Sequence, residues 1–188
     1  MGAAIGCDDD HKKIVNEVND VILHKGEVLF RQGELGPLYR LHRGILKVER
    51  LQADGTTAVV NLLEPGEFFP HHSLLSPKEY FGTAIALVTS EVEEIPAEEW
   101  YRELEGDPLR YREVSKVLED RLRLMQQRIN HLLAPTSSER LELLETWFRE
   151  RFPDWELTDV LRQEEIGQLI GVRRETVNRL LRVSRGKI

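Results

Sequence analysis

Arg174, Glu175, Asn178 and Arg179 follow one another at spacings of one and three to four residues, so a helix through them presents all four on one face. An arginine can hold guanine O6 and N7 together, a glutamate can accept from cytosine N4, and an asparagine can pair with adenine. Such a set suits the reading of base edges in a major groove. Thr176, Arg173 and Arg182 flank it and suit phosphate oxygens, which position a protein on DNA without reading sequence. The surrounding charge agrees. The formal net charge is -7, yet from Ile166 onward there are six bases (Arg173, Arg174, Arg179, Arg182, Arg185, Lys187) against the single acid Glu175. A local basic patch on an acidic body is rewarded by counterion release where the two meet DNA.

The elements needed to position these side chains are legible around them. In QEEIGQLIGVRRETVNRLLR, from Gln163 to Arg182, residues Ile166, Leu169 and Ile170 supply the buried face of a first helix. Gly171 permits a turn, and Val177, Leu180 and Leu181 supply the buried face of a second helix, which predicts a helix-turn-helix. Ahead of it, Ser137 or Ser138 is placed to cap another helix, with Leu141, Leu144, Trp147 or Phe148, and Phe152 on its apolar side before Pro153. Further upstream, Asp107-Pro108 reads as an N-cap followed by a first-turn proline. From there Val114, Leu118, Leu122, Met125, Ile129 and Leu132 alternate steps of three and four, the spacing of a coiled-coil seam, until Pro135. That helix, roughly 39 Å long at 1.5 Å per residue, is too long for a small β domain to cover and is expected to pair with a second copy.

The first half of the chain has the grammar of short antiparallel strands. Gly33, Gly44, Gly55 and Gly66 recur every eleven residues and separate LYRLHR, ILKVERL and TTAVVNLL. In Ile45 to Leu51 the residues Leu46 and Val48 alternate with Lys47 and Glu49, which predicts one core face and one solvent face. Asp54-Gly55 marks a hairpin turn. FGTAIALV and SEVEEI are two further strands, and the β region ends near Pro96, where AEEWYREL turns helical. The 188 residues, 40% hydrophobic and 31% charged, fit a globular protein of one or two domains. No apolar run reaches membrane-spanning length and the N-terminus lacks a signal-peptide pattern, so a cytoplasmic location is expected. The single Cys7, expected as an exposed thiol in a loose tail, cannot by itself hold an iron-sulfur cluster or structural zinc.

EEIGQLIGVRRETVNRLLR, with its Arg174-Glu175-Thr176-Val177 core, resembles the recognition motif of the CRP/FNR family. KGEVLFRQGE (residues 25–34), LYRLHRGILKVERLQADG and LLEPGEFF are similar to that family's cyclic-nucleotide-binding β-roll, and the three parts follow in the family's order. The resemblance implies an α+β protein. An N-terminal, jelly-roll-like β-roll sensor domain (1–107) leads through a long dimerisation helix (108–134) to a helix-turn-helix DNA-binding domain (135–188). It implies a homodimer on a palindromic double-stranded promoter site, RNA polymerase as a further partner, and an effector in the β-roll that shifts the DNA-binding domains. Arg174, Glu175 and Arg179 inherit the base contacts.

The chain also departs from the family. The cyclic nucleotide is held there by a Gly-Glu pair on the ribose and an Arg-Ser pair on the phosphate; Pro70-His71 and Tyr80-Phe81 occupy those places. Cyclic AMP in the usual mode is therefore not expected, because a buried phosphodiester needs a cation and donors. The effector candidates become His71, His72, Ser73, Tyr80 and Thr83, with haem on His72 as a lesser alternative. The family's iron-sulfur cysteines are absent. Cupin enzymes share the β-roll architecture, but His42, His71 and His72 do not reproduce their metal pattern, so neither a metal site nor an enzymatic role is expected. Family members usually continue past the recognition helix into a β-hairpin wing. This chain stops at Ile188 without most of one, which predicts weaker DNA binding with a shallower salt slope, or a regulator impaired in DNA binding; the departed effector residues leave a regulator independent of an effector as a further alternative.

Overall fold

The protein is described by a computed structural model over residues 19–185. The expectations about Cys7 and about the wing concern residues outside that range. Strands β1 (Asn19–Leu23), β2 (Val28–Phe30), β3 (Leu38–Arg43), β4 (Leu46–Leu51), β5 (Thr57–Leu63), β6 (Phe68–Phe69), β7 (Thr83–Ala86) and β8 (Ser90–Ile95) form two antiparallel sheets, in the orders β1-β8-β3-β6 and β2-β7-β4-β5. The glycines spaced eleven apart all take positive φ, from 83° to 96°, as the turns between strands require. Between the sheets Phe30, Tyr39, Phe69 and Tyr80 pack ring on ring, with Phe30 and Tyr80 centroids 4.0 Å apart. Leu41, Leu46, Leu63 and Val92 complete this core.

Helix α1 (Ala97–Gly106) closes one end of the roll: Trp100 donates its indole N–H to the Leu74 carbonyl at 2.9 Å and packs with Leu38, Leu104 and Val114. Helix α2 (Pro108–Leu132) starts as its sequence predicts, the Asp107 carboxylate accepting from the Leu109 N–H at 2.8 Å. For α3 (Ser137–Arg151) the cap is neither Ser137 nor Ser138 but Thr136. Thr136 lies in the extended region, its hydroxyl accepts from the Glu139 N–H, and the Glu139 carboxylate accepts from the Thr136 N–H, both at 3.2 Å. That reciprocal box satisfies two orphan donors where a serine one residue on would satisfy one. A short α4 (Leu157–Val160) leads to the pair α5 (Gln163–Ile170) and α6 (Arg174–Arg185).

The expected solvent face of β4 is not in solvent. Lys47 is 5% exposed and forms ion pairs with Glu49 and, at 2.5 Å, with Glu165, itself 3% exposed, on α5. The helical domain is docked on the outer side of the β4–β5 sheet, so Ile45, Val59 and Leu62 share one hydrophobic core with Leu141, Phe148, Ile166 and Val177. The docking is stitched by hydrogen bonds as well. The Gln168 side chain accepts from the Val59 N–H at 2.9 Å and donates to the Thr57 carbonyl at 3.0 Å, while Arg151 pairs with Glu64. Period-two alternation says which residues face away from a core; it does not say that a second core lies there.

Candidate nucleic-acid interface and effector cavity

The helix-turn-helix is built as its pattern predicts. Ile166, Leu169, Ile170 and Val177 are buried, Gly171 takes φ 67° after α5, and the Arg140 guanidinium donates to the Ile170 carbonyl at 2.9 Å, tying the turn to α3. Gly167 is close-packed as well: a Cβ there would lie 2.6 Å from the Val172 carbonyl oxygen. On α6, Arg174, Glu175, Arg179 and Arg182 are exposed, as is Arg173 just before it, and together they form one solvent face. Thr176 is half-buried. Asn178 is drawn inward, donating to the Gln163 side chain at 3.1 Å, so it can pair with a base only by giving up that bond.

Of the α2 stripe, Val114 is buried against α1 and Leu118 is half-buried. Beyond them the stripe runs into solvent: Leu122 is 58% exposed, Met125 and Ile129 55% each, and Leu132 39%. The stripe therefore belongs to the roll at its start and to no described partner over its second half.

Where the roll, α2 and the helical domain meet there is a cavity of about 540 Å³. Its roll side is Phe30, Leu63, Phe69 and Phe81, its α2 side includes Arg121, Met125, Arg128 and Ile129, and its far side is Arg140, Leu144, Trp147 and Ile170. His71 and His72 line it. Ser73, Tyr80 and Thr83 do not: Ser73 donates to the Lys78 carbonyl, the Tyr80 hydroxyl to the Pro37 carbonyl at 2.8 Å, and Thr83 accepts from the Gln32 N–H. Burial, then the nearby Arg121 and His72, lower His71 to about 3, so this imidazole is neutral at physiological pH. Burial likewise raises the Glu67 carboxyl to about 7, against the pull of Arg121 at 3.0 Å. His72 Nε2 lies 2.9 Å from the Glu79 carbonyl, a contact that a haem iron approaching that nitrogen would have to displace.

Tyr80 is 3% exposed and committed to the aromatic core, and Phe81 lies under the Arg50 guanidinium at 3.9 Å. Neither side chain offers a cyclic phosphate the charge that an arginine-serine pair would. Arg121, Arg128, Arg140 and Arg151, the guanidiniums that line the cavity, were not singled out from sequence. In a helix as charged as α2, the inward Arg121 and Arg128 look like solvated neighbours of Arg123, and only their seven-residue separation hints at a shared face. Among the described residues no helix is long and apolar enough to cross a membrane, and no three His, Cys, Asp or Glu side chains converge as metal ligands.

These features agree with what known proteins show. Residues 21–107 match the cyclic nucleotide-binding domain family. The transcriptional activator protein anr of Pseudomonas aeruginosa is 30% identical over 164 residues, covering 84% of this chain and 67% of that protein. The cyclic AMP receptor protein of Thermus thermophilus is 29% identical over 163 residues, covering 84% and 72%. Among solved structures, FixK2 from Bradyrhizobium japonicum superposes with a TM-score of 0.73 at 19% identity, covering 90% of this chain and 85% of that one, which supports the fold. With a β-roll, a long helix and a helix-turn-helix in this order, and regulators rather than enzymes as relatives, the chain belongs to the CRP/FNR family of transcription regulators.

Proposed function

We propose that the protein acts in the cytoplasm as a homodimeric regulator that binds a palindromic double-stranded DNA site through α6, under the control of an effector other than cyclic AMP in its usual mode. One observation carries this reading: α6 turns Arg174, Glu175 and Arg179 to solvent on a helix seated in a folded helix-turn-helix, and so offers base readers already at the surface. The unpartnered apolar half of α2 supports the second copy, since a row of exposed Leu, Met and Ile at seam spacing is costly in water and is covered when two such helices pair. Engagement of RNA polymerase follows from family membership alone. The arrangement of Pro70, His71, Tyr80 and Phe81 argues against the usual cyclic AMP contacts.

Selection of bound fragments from a random DNA pool at low salt, followed by sequencing, tests the proposal. The expected product is an inverted repeat with half-sites about one helical turn apart. Enrichment of single half-sites would remove the dimer. No enrichment at all would remove sequence-specific DNA binding from this chain.

A further inference from the structure

We infer that the cavity between the roll, α2 and α3 is a binding site for a small organic acid, an apolar body bearing one carboxylate-type anion, with Arg128 as its anchor. The inference deepens the effector control proposed above and rests on it for its regulatory meaning.

Charge selects the anion. Four guanidiniums line the cavity, and two of them already have a carboxyl partner, Arg121 in Glu67 and Arg151 in Glu64. Arg128 has no hydrogen-bond or ion-pair partner among the described residues, although burial and the neighbouring Arg121 both work against its charged form. The buried Nε of Arg140 also lacks an acceptor. Guanidinium stays protonated in proteins, and a half-buried cation without a counter-charge carries part of that desolvation cost, so the site is short of acceptor oxygens. A carboxylate meets a guanidinium in two parallel hydrogen bonds and supplies them.

The remaining walls select the body. Phe30, Leu63, Phe69, Phe81, Leu144 and Trp147 are apolar, and His71, held neutral, adds no charge. A ligand with several phosphates or a sugar would leave its own polar groups unpaired against those rings. The volume of about 540 Å³ falls in the range of roughly 300 to 1,000 Å³ usual for small-molecule sites. The walls come from both the sensor roll and the DNA-binding domain, so an occupant bonds to both and favours their docked arrangement over any arrangement that separates them.

The test uses the full chain titrated with sodium decanoate and with 1-decanol, below the concentrations at which either aggregates. Tryptophan fluorescence is followed, with Trp147→Phe to assign the signal. Saturable binding of decanoate is expected, at least tenfold tighter than that of decanol, and Arg128→Gln should reduce decanoate to the level of decanol while leaving decanol unchanged. Thermal melting provides a second readout: decanoate should raise the Tm of the wild type and of Arg128→Lys but not of Arg128→Gln, and unliganded Arg128→Gln should melt no lower than the wild type. Equal affinity for acid and alcohol, unaltered binding by Arg128→Gln, displacement of decanoate by cyclic AMP, or no saturable binding would each overturn the inference. Because none of these measurements contains DNA, failure here is separable from failure of the regulator proposal, which the DNA selection reads.

Discussion

Arg174 and Arg179 leave α6 on its exposed face, whereas Arg182 sits one turn nearer the end of the helix. In the proposed reading the first two meet base edges and the third a phosphate, so alanine at each should act differently. Arg174→Ala and Arg179→Ala are each expected to cost about 1 to 3 kcal/mol at one base position and to relax preference there, while Arg182→Ala weakens all sequences alike. Competition of the selected site against random DNA measures this, and equal losses on both for all three variants would refute the division. Two titrating groups oppose one another here, His71 in the cavity wall and Glu67 on the wall residue Arg121. His71 is held near 3 against an ordinary 6.5, so between those values the unfolded chain binds the proton and stability falls as pH drops. Glu67 is raised to about 7 against an ordinary 4.5, so in that window the native chain binds the proton first and stability is lost as pH rises. Between about 4.5 and 6.5 the two slopes have opposite signs. His71→Gln should therefore gain stability on mild acidification relative to wild type, and Glu67→Gln should lose it, in urea melts across that range. The exposure of Arg174, Glu175 and Arg179 was legible from residue type and spacing, as was His71 beside the cavity. The shifted titration of His71 and Glu67 was not, because nothing in EPGEFFPHH tells which side chains the roll will bury.

At the scale of elements, the stretches that carry a period are the ones sequence reveals. β3, β4, β5, α2 and the α5–α6 pair fall where alternation, seam and turn glycine put them. β6 is two residues long, too short for a period, and is set by its pairing with Tyr39 and Arg40 on β3. The Thr136 cap was hidden by two serines of equal capping chemistry beside it; the decision came from Glu139, three residues after the threonine. Gly167 lies inside a helix, where glycine is ordinarily a loss, and its reason is the Val172 carbonyl 2.6 Å from where a Cβ would stand. Gly167→Ala should accordingly lower stability by about 1 to 3 kcal/mol, since the turn backbone must move; denaturant unfolding would show it, and an unchanged midpoint would mean that α5 and the turn slide apart freely. On α2, Leu122→Glu or Met125→Glu should yield monomers by light scattering, because a charge would be buried where two stripes meet. An intact dimer in either variant would place the seam elsewhere.

At the scale of the molecule, the β-roll and the helical domain are joined by more than the connection at residues 133–136. The Lys47–Glu165 pair is buried between them, and removing one member of such a pair costs about 3 to 5 kcal/mol because the other is left unpaired. Lys47→Met alone should loosen the docking and enlarge the particle in small-angle scattering, whereas Lys47→Met with Glu165→Leu should restore the compact form. If the single and double variants scatter alike, the shared core rather than the ion pair holds the domains. The Glu165 carboxyl is lowered overall: burial raises it, but hydrogen bonds from Arg162 and Lys47 outweigh that, so the docking it supports is present above the ordinary carboxylate range and is lost as acid protonates it. The Gln168 amide has a further consequence. β5 is the last strand of its sheet, and Gln168 occupies the Val59 N–H and the Thr57 carbonyl that a ninth strand would otherwise take. Were the helical domain to come away, a bare strand edge with Val59 and Leu62 beside it would be uncovered, and such edges recruit other chains. The docked state covers that edge, and a variant locked open is expected to be limited first by its solubility.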